Sequence, residues 1–204
     1  MTPDSWRLYA VQYATSTGRP QWRNIITSGH GVLSQDPGDI SFFIWVAIRG
    51  DRVVLIDGGA DRPTVEARGF EWSADPVASL ASIGVAPEAV TDVVITHLHW
   101  DHAGNLSLFP NARIHLTQTE WEWATGSGQK YPFICRPLAI SELGALGQYL
   151  SAGRVRLLPM LDEQEIAPGL SVIGVGGHTA GNLIVKVQGP AGSLVLAGDA
   201  AHTY

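Results

Sequence analysis

Apolar positions in this chain come in short runs. Residues 41–48 (SFFIWVAI) and 52–56 (RVVLI) are dense in β-branched and aromatic side chains, which pack well on a pleated surface. A short turn at Gly50-Asp51 separates them, so the pair is predicted to form a β-hairpin. Residues 91–96 (TDVVIT) have the length and composition of a buried strand, leading into a loop and a helix start over 102–108. Asp75-Pro76 pairs a good N-cap with proline in the first turn, predicting a helix that ends near Gly84. Further strands are expected at 112–116, 154–158, 170–175, 182–188 and 193–198, with helices at 118–125 and 139–150. The mixture is α/β, with many hairpin-like neighbours rather than strict strand–helix–strand alternation. No repeat, low-complexity tract or linker-like stretch interrupts it, so residues 1–204 are expected to form one domain.

Composition narrows the class of protein. With 45% hydrophobic and 16% charged residues, a chain of 204 residues can build a core without staples. Cys135 is its single cysteine, which excludes an intramolecular disulfide and a Cys-x-x-Cys redox pair. The formal net charge of −6 argues against a nucleic-acid partner, which would require a basic face. The first ten residues carry Asp4 and Arg7 and no apolar core of a signal peptide. The longest purely apolar run, 42–48, is too short to span a bilayer, so a soluble, cytoplasmic protein without membrane contact is expected.

Candidate chemistry concentrates in one segment, His97-Leu98-His99-Trp100-Asp101-His102, directly after the 91–96 strand. In extended backbone, residues two apart share a side, so His97 and His99 can converge on one ion. A turn into a helix would carry Asp101 and His102 toward a neighbouring position. Imidazole nitrogen and carboxylate oxygen are the donors that zinc or iron accepts. The chain has seven histidines, and three of them in six positions is a concentration that a polar loop does not explain. Asp57, at the end of the 52–56 strand, is expected to accept a hydrogen bond from a ligand histidine, or else to serve only as a turn residue before two glycines. His115 alternates with Ile114 and Leu116 and is expected to be structural or on the surface, and His30 a loop residue. Trp100 could line a pocket from inside the motif.

The His97–His102 run, followed by Ala103-Gly104-Asn105, resembles the HxHxDH signature of the metallo-β-lactamase superfamily. Leu55-Ile56-Asp57-Gly58-Gly59, Gly176-Gly177-His178-Thr179 and Leu196-Ala197-Gly198-Asp199 are similar to three further motifs of that family, in its order. The resemblance implies a four-layer αββα sandwich with two divalent metal ions, zinc foremost, at one edge between its sheets. It implies that His97, His99 and His178 hold the first metal, Asp101 and His102 the second, and Asp199 bridges both. The longer stretches around these motifs resemble N-acyl homoserine lactonases most. That implies a small lactone or ester as substrate, opened by metal-bound hydroxide, and quorum quenching as a role, with Asp101 carrying a proton to the leaving alkoxide. His202, three residues after Asp199, stands near where lactonases often place a substrate-contacting tyrosine; it could hydrogen-bond substrate or simply pack. The alternatives are another esterase or thioesterase of the glyoxalase II kind, and a vestigial module that binds metal without catalysis. The family places another histidine ligand, a closing strand and a helix well beyond the bridging aspartate, and this sequence has five residues there. The expectation is therefore a fold truncated at its C-terminus, a weakened second metal site, and a free strand edge open to pairing, a homodimer included.

Overall fold

The computed structural model describes residues 5–19 and 38–201. Arg7–Ser16 (β1), Ile40–Arg49 (β2) and Arg52–Ile56 (β3) form an antiparallel meander. The β2–β3 hairpin closes at Arg49 opposite Arg52, with Gly50 supplying the positive φ of the turn. A bulge between Gln12 and Ala14 leaves Tyr13 as the extra residue of β1, fully buried. After Arg62–Ala67 (α1), the two-residue strand Glu71–Trp72 (β4) pairs on the outer edge of β1.

The chain then changes to parallel pairing. Asp92–Val94 (β5) lies beside β3, and Arg113–Thr117 (β6) beside β5. Gln118–Thr125 (α2), Pro132–Cys135 (α3) and Ile140–Ser151 (α4) follow, and Val155–Leu158 (β7) completes a seven-stranded sheet in the order β4-β1-β2-β3-β5-β6-β7. Gln164–Ala167 (β8), Leu170–Gly174 (β9), Leu183–Gly189 (β10) and Gly192–Leu196 (β11) make a second, antiparallel sheet in the order β11-β10-β9-β8.

Strand alternation divides the core in two. Val53, Leu55, Val93 and Ile95 pack toward Val65, Ala124 and Leu146 of the helices. Their neighbours Val54, Ile56 and Val94 pack toward Leu170, Val172, Leu183, Val185 and Val187 of the second sheet. Helices, large sheet and small sheet thus stack as three layers, α, β and β, of the four-layer αββα sandwich that the family resemblance implied. Among the described residues no helix contributes to the core on the small-sheet side. Among the described residues no helix is long and apolar enough to cross a membrane.

Two predicted helices are tighter and shorter than expected. Asp75 does cap the first, its Oδ1 accepting from the N–H groups of Val77 and Ala78 at 2.9 Å, and Gly84 ends it at φ +73°. Between them Ala78–Ile83 winds as a 3₁₀ helix, while the Ser79 and Ser82 hydroxyls donate to backbone carbonyls of Asp75 and Ser79. The segment 102–108 is one turn at His99–Ala103 and a 3₁₀ turn at Leu106–Leu108, separated by Asn105 at φ +61°. Strands β1, β4 and β8 and helices α1 and α3 were not anticipated.

Candidate metal centre

The site is assembled from strand ends. Asp57 follows β3, Thr96 to His102 follow β5, His178 sits on the β9–β10 loop, and Asp199 lies in the turn after β11. Asp57 takes a positive φ of 62°, which brings its carboxylate back across the end of β5. There Oδ1 accepts the Thr96 N–H at 2.7 Å, and Oδ2 accepts from the Thr96 hydroxyl at 2.9 Å and from His102 Nδ1 at 2.7 Å. With its Nδ1–H committed to Asp57, His102 turns Nε2 toward Asp101 Oδ2 at 3.6 Å and Asp199 Oδ1 at 3.5 Å.

His97 is fully buried. The Thr96 hydroxyl, whose proton goes to Asp57, stands 3.1 Å from His97 Nδ1, so that nitrogen is the one carrying hydrogen. Its Nε2 is left as a buried lone pair without a hydrogen-bond partner among the described residues. His99 Nδ1 lies 2.9 Å from His178 Nε2, and His178 Nε2 lies 3.2 Å from Asp199 Oδ2. His97, His99 and His178 bring ligand atoms within 4.8 Å of one another, and so do His97, His102 and Asp199. The two sets share His97, with the Asp199 carboxylate between His178 and His102.

Of the six candidates read from the sequence, His97, His99, His102, His178 and Asp199 come together in these two sets. Asp101 stands beside them, its Oδ2 3.6 Å from His102 Nε2, and belongs to neither; His97, expected at the first metal alone, belongs to both. A cation fits the donor set: imidazole nitrogens and carboxylate oxygens converge, and the buried His97 Nε2 lone pair is costly without one. Electrostatics divides the imidazoles. Burial, with His102 and His99 adjoining, pushes His97 well below the usual histidine range. Burial and His178 lower His99 to about 4. Burial acts the same way on His102, but the carboxylates of Asp57, Asp101 and Asp199 outweigh it and hold that imidazole well above its ordinary value.

Backbone contacts lock the motif in place. Tyr13 donates its hydroxyl proton to the Asp101 carbonyl at 2.7 Å, and burial, then Asp101, raises its own pKa. The Gly58 N–H donates to the His102 carbonyl at 2.7 Å, and the Gly104 N–H to the Gly59 carbonyl at 2.9 Å. Glu120, on the first turn of α2, reaches both histidine-bearing loops with a carboxylate that burial raises above the usual range. Neither Tyr13 nor Glu120 was singled out from the sequence. The Thr117-x-x-Glu120 spacing marks a helix start, and nothing in it says where the carboxylate goes.

A cleft of about 910 Å³ opens over the centre. Trp100 lines it as anticipated, stacked on Phe70 with ring centroids 5.6 Å apart, with Phe42 beside both and the Arg68 guanidinium 4.7 Å over the Trp100 ring. His115 is elsewhere and structural: it is buried, its Nε2 2.9 Å from Asp92 Oδ1, in a cluster with Arg52. His30 and His202 lie outside the described residues.

Comparison with known proteins adds the family. Residues 37–204 match the family described as the Metallo-beta-lactamase superfamily. Metallo-beta-lactamase domain-containing protein 1 of Xenopus laevis is 30% identical over 93% of this chain and 70% of its own length. N-acyl homoserine lactonase AiiB of Agrobacterium fabrum is 30% identical over 61% of this chain and 45% of its own. The chain spans from about half to 70% of the length of the first curated relatives it matches. The solved structure of AidC, a dizinc quorum-quenching lactonase, covers 96% of this chain and 71% of its own, with a TM-score of 0.70 and 15% identity.

Proposed function

The chain belongs to the metallo-beta-lactamase superfamily, and from that membership and its converging side chains we propose that it opens the ring of a lactone of the N-acyl homoserine type. The observation that carries this is the meeting of His97, His99 and His178 with the Asp199 carboxylate at the floor of an aromatic-walled cleft. In this reading His97, His99 and His178 hold one divalent metal, and His102 with Asp101 a second. Asp199 lies between them, and zinc suits the nitrogen-rich set. Two such ions would polarise an ester carbonyl and bring the pKa of water toward ~7.

The protein's own groups do the rest. Asp57 keeps the His102 Nδ1–H turned away from the centre, leaving Nε2 to face it. Asp101, beside His102, is placed to take a proton and return it to the alkoxide that leaves when the ring opens. Phe42, Phe70 and Trp100 wall the cleft with rings suited to an apolar acyl chain and keep water from that side.

A second reading is favoured by the Xenopus relative. It matches far more of the chain than the Agrobacterium lactonase does, and its name specifies no substrate. Under that reading the same centre hydrolyses another ester or a thioester. The test strips the protein with chelator, reloads it with zinc, and follows proton release on hexanoyl homoserine lactone and on a hexanoyl thioester. Metal-dependent lactone opening supports the first reading, and turnover of the thioester alone supports the second. Zinc-loaded protein inert to both would overturn both.

A further inference from the structure

Glu120 holds no candidate metal position, yet it is a fully buried carboxylate. Its Oε1 accepts the Leu98 N–H at 2.9 Å, the peptide between His97 and His99. Its Oε2 accepts the Gly181 N–H at 2.9 Å, three residues after His178. One side chain thus joins a loop of the large sheet to a loop of the small sheet, and each carries histidines of the centre.

The same helix turn grips the second loop twice. The Thr117 hydroxyl donates to the Gly181 carbonyl at 2.6 Å while accepting the Glu120 N–H at 3.1 Å. A Cβ at position 181 would collide with Glu120 N and Thr117 Oγ1, so glycine alone allows this approach. In a capping box the glutamate of Thr-x-x-Glu bonds back to the N-cap N–H. Here the threonine half is made, and the glutamate is diverted across to the two histidine loops. A helix cap alone could be supplied by an exposed side chain, without the cost of burying a carboxylate.

We propose that Glu120 is a positioning residue of the metal centre, a strut of fixed length that sets how far His178 stands from His97 and His99. The proposal rests on the metal-binding reading above. The strut acts where the sheets meet, because His97 and His99 follow β5 and His178 follows β9. Without it, the loop carrying His178 would keep its bonds to Thr117 and Thr96 through Gly181 and Leu183 but lose its tie to the Leu98 peptide between His97 and His99.

The test compares wild type with Glu120→Gln. Glutamine keeps the shape but turns an NH2 group against one of the two peptide N–H groups, so one anchor is lost. Zinc affinity is read by competition with a chromophoric chelator, and the cobalt-substituted protein by its visible absorption. Folded Glu120→Gln should bind zinc roughly 10–100-fold more weakly and show an altered cobalt spectrum. A purely structural role would lower the melting temperature of the metal-free protein and leave both readouts unchanged, and that result overturns the proposal. If the glutamine variant does not fold, Glu120→Asp keeps the charge and shortens the reach, with the same two outcomes. Wild type that binds no zinc would instead remove the metal reading and this inference with it.

Discussion

His97, His99 and His102 share six residues of sequence and three different environments. The first two are held low by burial, and His102 is held high by three carboxylates despite it. In metal-free protein this division has opposite consequences on either side of pH ~6.5, the ordinary histidine value. Below it the unfolded state protonates His97 and His99 before the folded state does, so stability falls as pH drops toward about 4. Above it the folded state keeps its proton on His102 while the unfolded state has lost it, so stability falls as pH rises. The acid limb is shared with every carboxylate, which makes the alkaline limb diagnostic. Metal-free protein should melt at lower temperature at pH 8.5 than at 6.5, and His102→Asn should lose most of that difference. An equal drop in both proteins would rule His102 out as its source. The residues that shape these environments differ in how visible they are in the sequence. Clustered histidines stand out by spacing alone, and Asp57 by its place at a strand end. Tyr13 and Glu120 reach the site through a bulge and a diverted cap, contacts that local sequence does not encode.

Elements were legible where pattern and punctuation agree. The β2–β3 hairpin and the strands β5, β6, β7, β9, β10 and β11 stand within a few residues of their predicted positions, as do α2 and α4. The first strand, RLYAVQYATS, mixes exposed and buried positions and changes register at Tyr13, so its period-2 signal is broken. The four-residue β8 carries too few apolar positions to show alternation. What the strand pattern leaves out is how closely the loops beyond it pack. Gly104 is such a point: a Cβ there would collide with the Gly59 carbonyl, and Gly58 opposes Gly104 in the same way. These glycines let the turn after β3 lie directly on the turn carrying His102, joined by the Gly58 and Gly104 N–H bonds. Gly104→Ala should therefore force backbone apart, at a cost of about 1–3 kcal/mol in a urea titration. It should also weaken zinc retention, because the junction fixes Asp57 against His102. A variant with unchanged urea midpoint and zinc content would show that the two loops can move apart without loss.

At the scale of the molecule, the two sheets meet at an end where three loops supply the candidate ligands, a fourth supplies Asp57 behind His102, and aromatic residues supply a wall. Phe42 belongs to β2, Phe70 precedes β4 and Trp100 lies within the histidine motif, so three separate segments build one apolar surface beside the centre. The cleft, about 910 Å³, is at the large end of the range for small-molecule sites, with room for more than a bare lactone ring. Each acyl methylene buried against that wall contributes up to ~0.8 kcal/mol. Since about 1.4 kcal/mol is a factor of ten, two well-buried methylenes could raise kcat/KM by close to tenfold. Homoserine lactones with butanoyl, hexanoyl and octanoyl chains should therefore show rising efficiency, carried mainly by KM if the chain binds equally in ground and transition states. Phe70→Ala, which thins the wall without touching a candidate ligand, should flatten that slope while leaving turnover of the shortest substrate nearly unchanged. Equal efficiency across the three lengths in the zinc-loaded protein would mean the aromatic wall faces something other than an acyl chain. A slope that survives Phe70→Ala would place the chain's contacts on another side of the cleft.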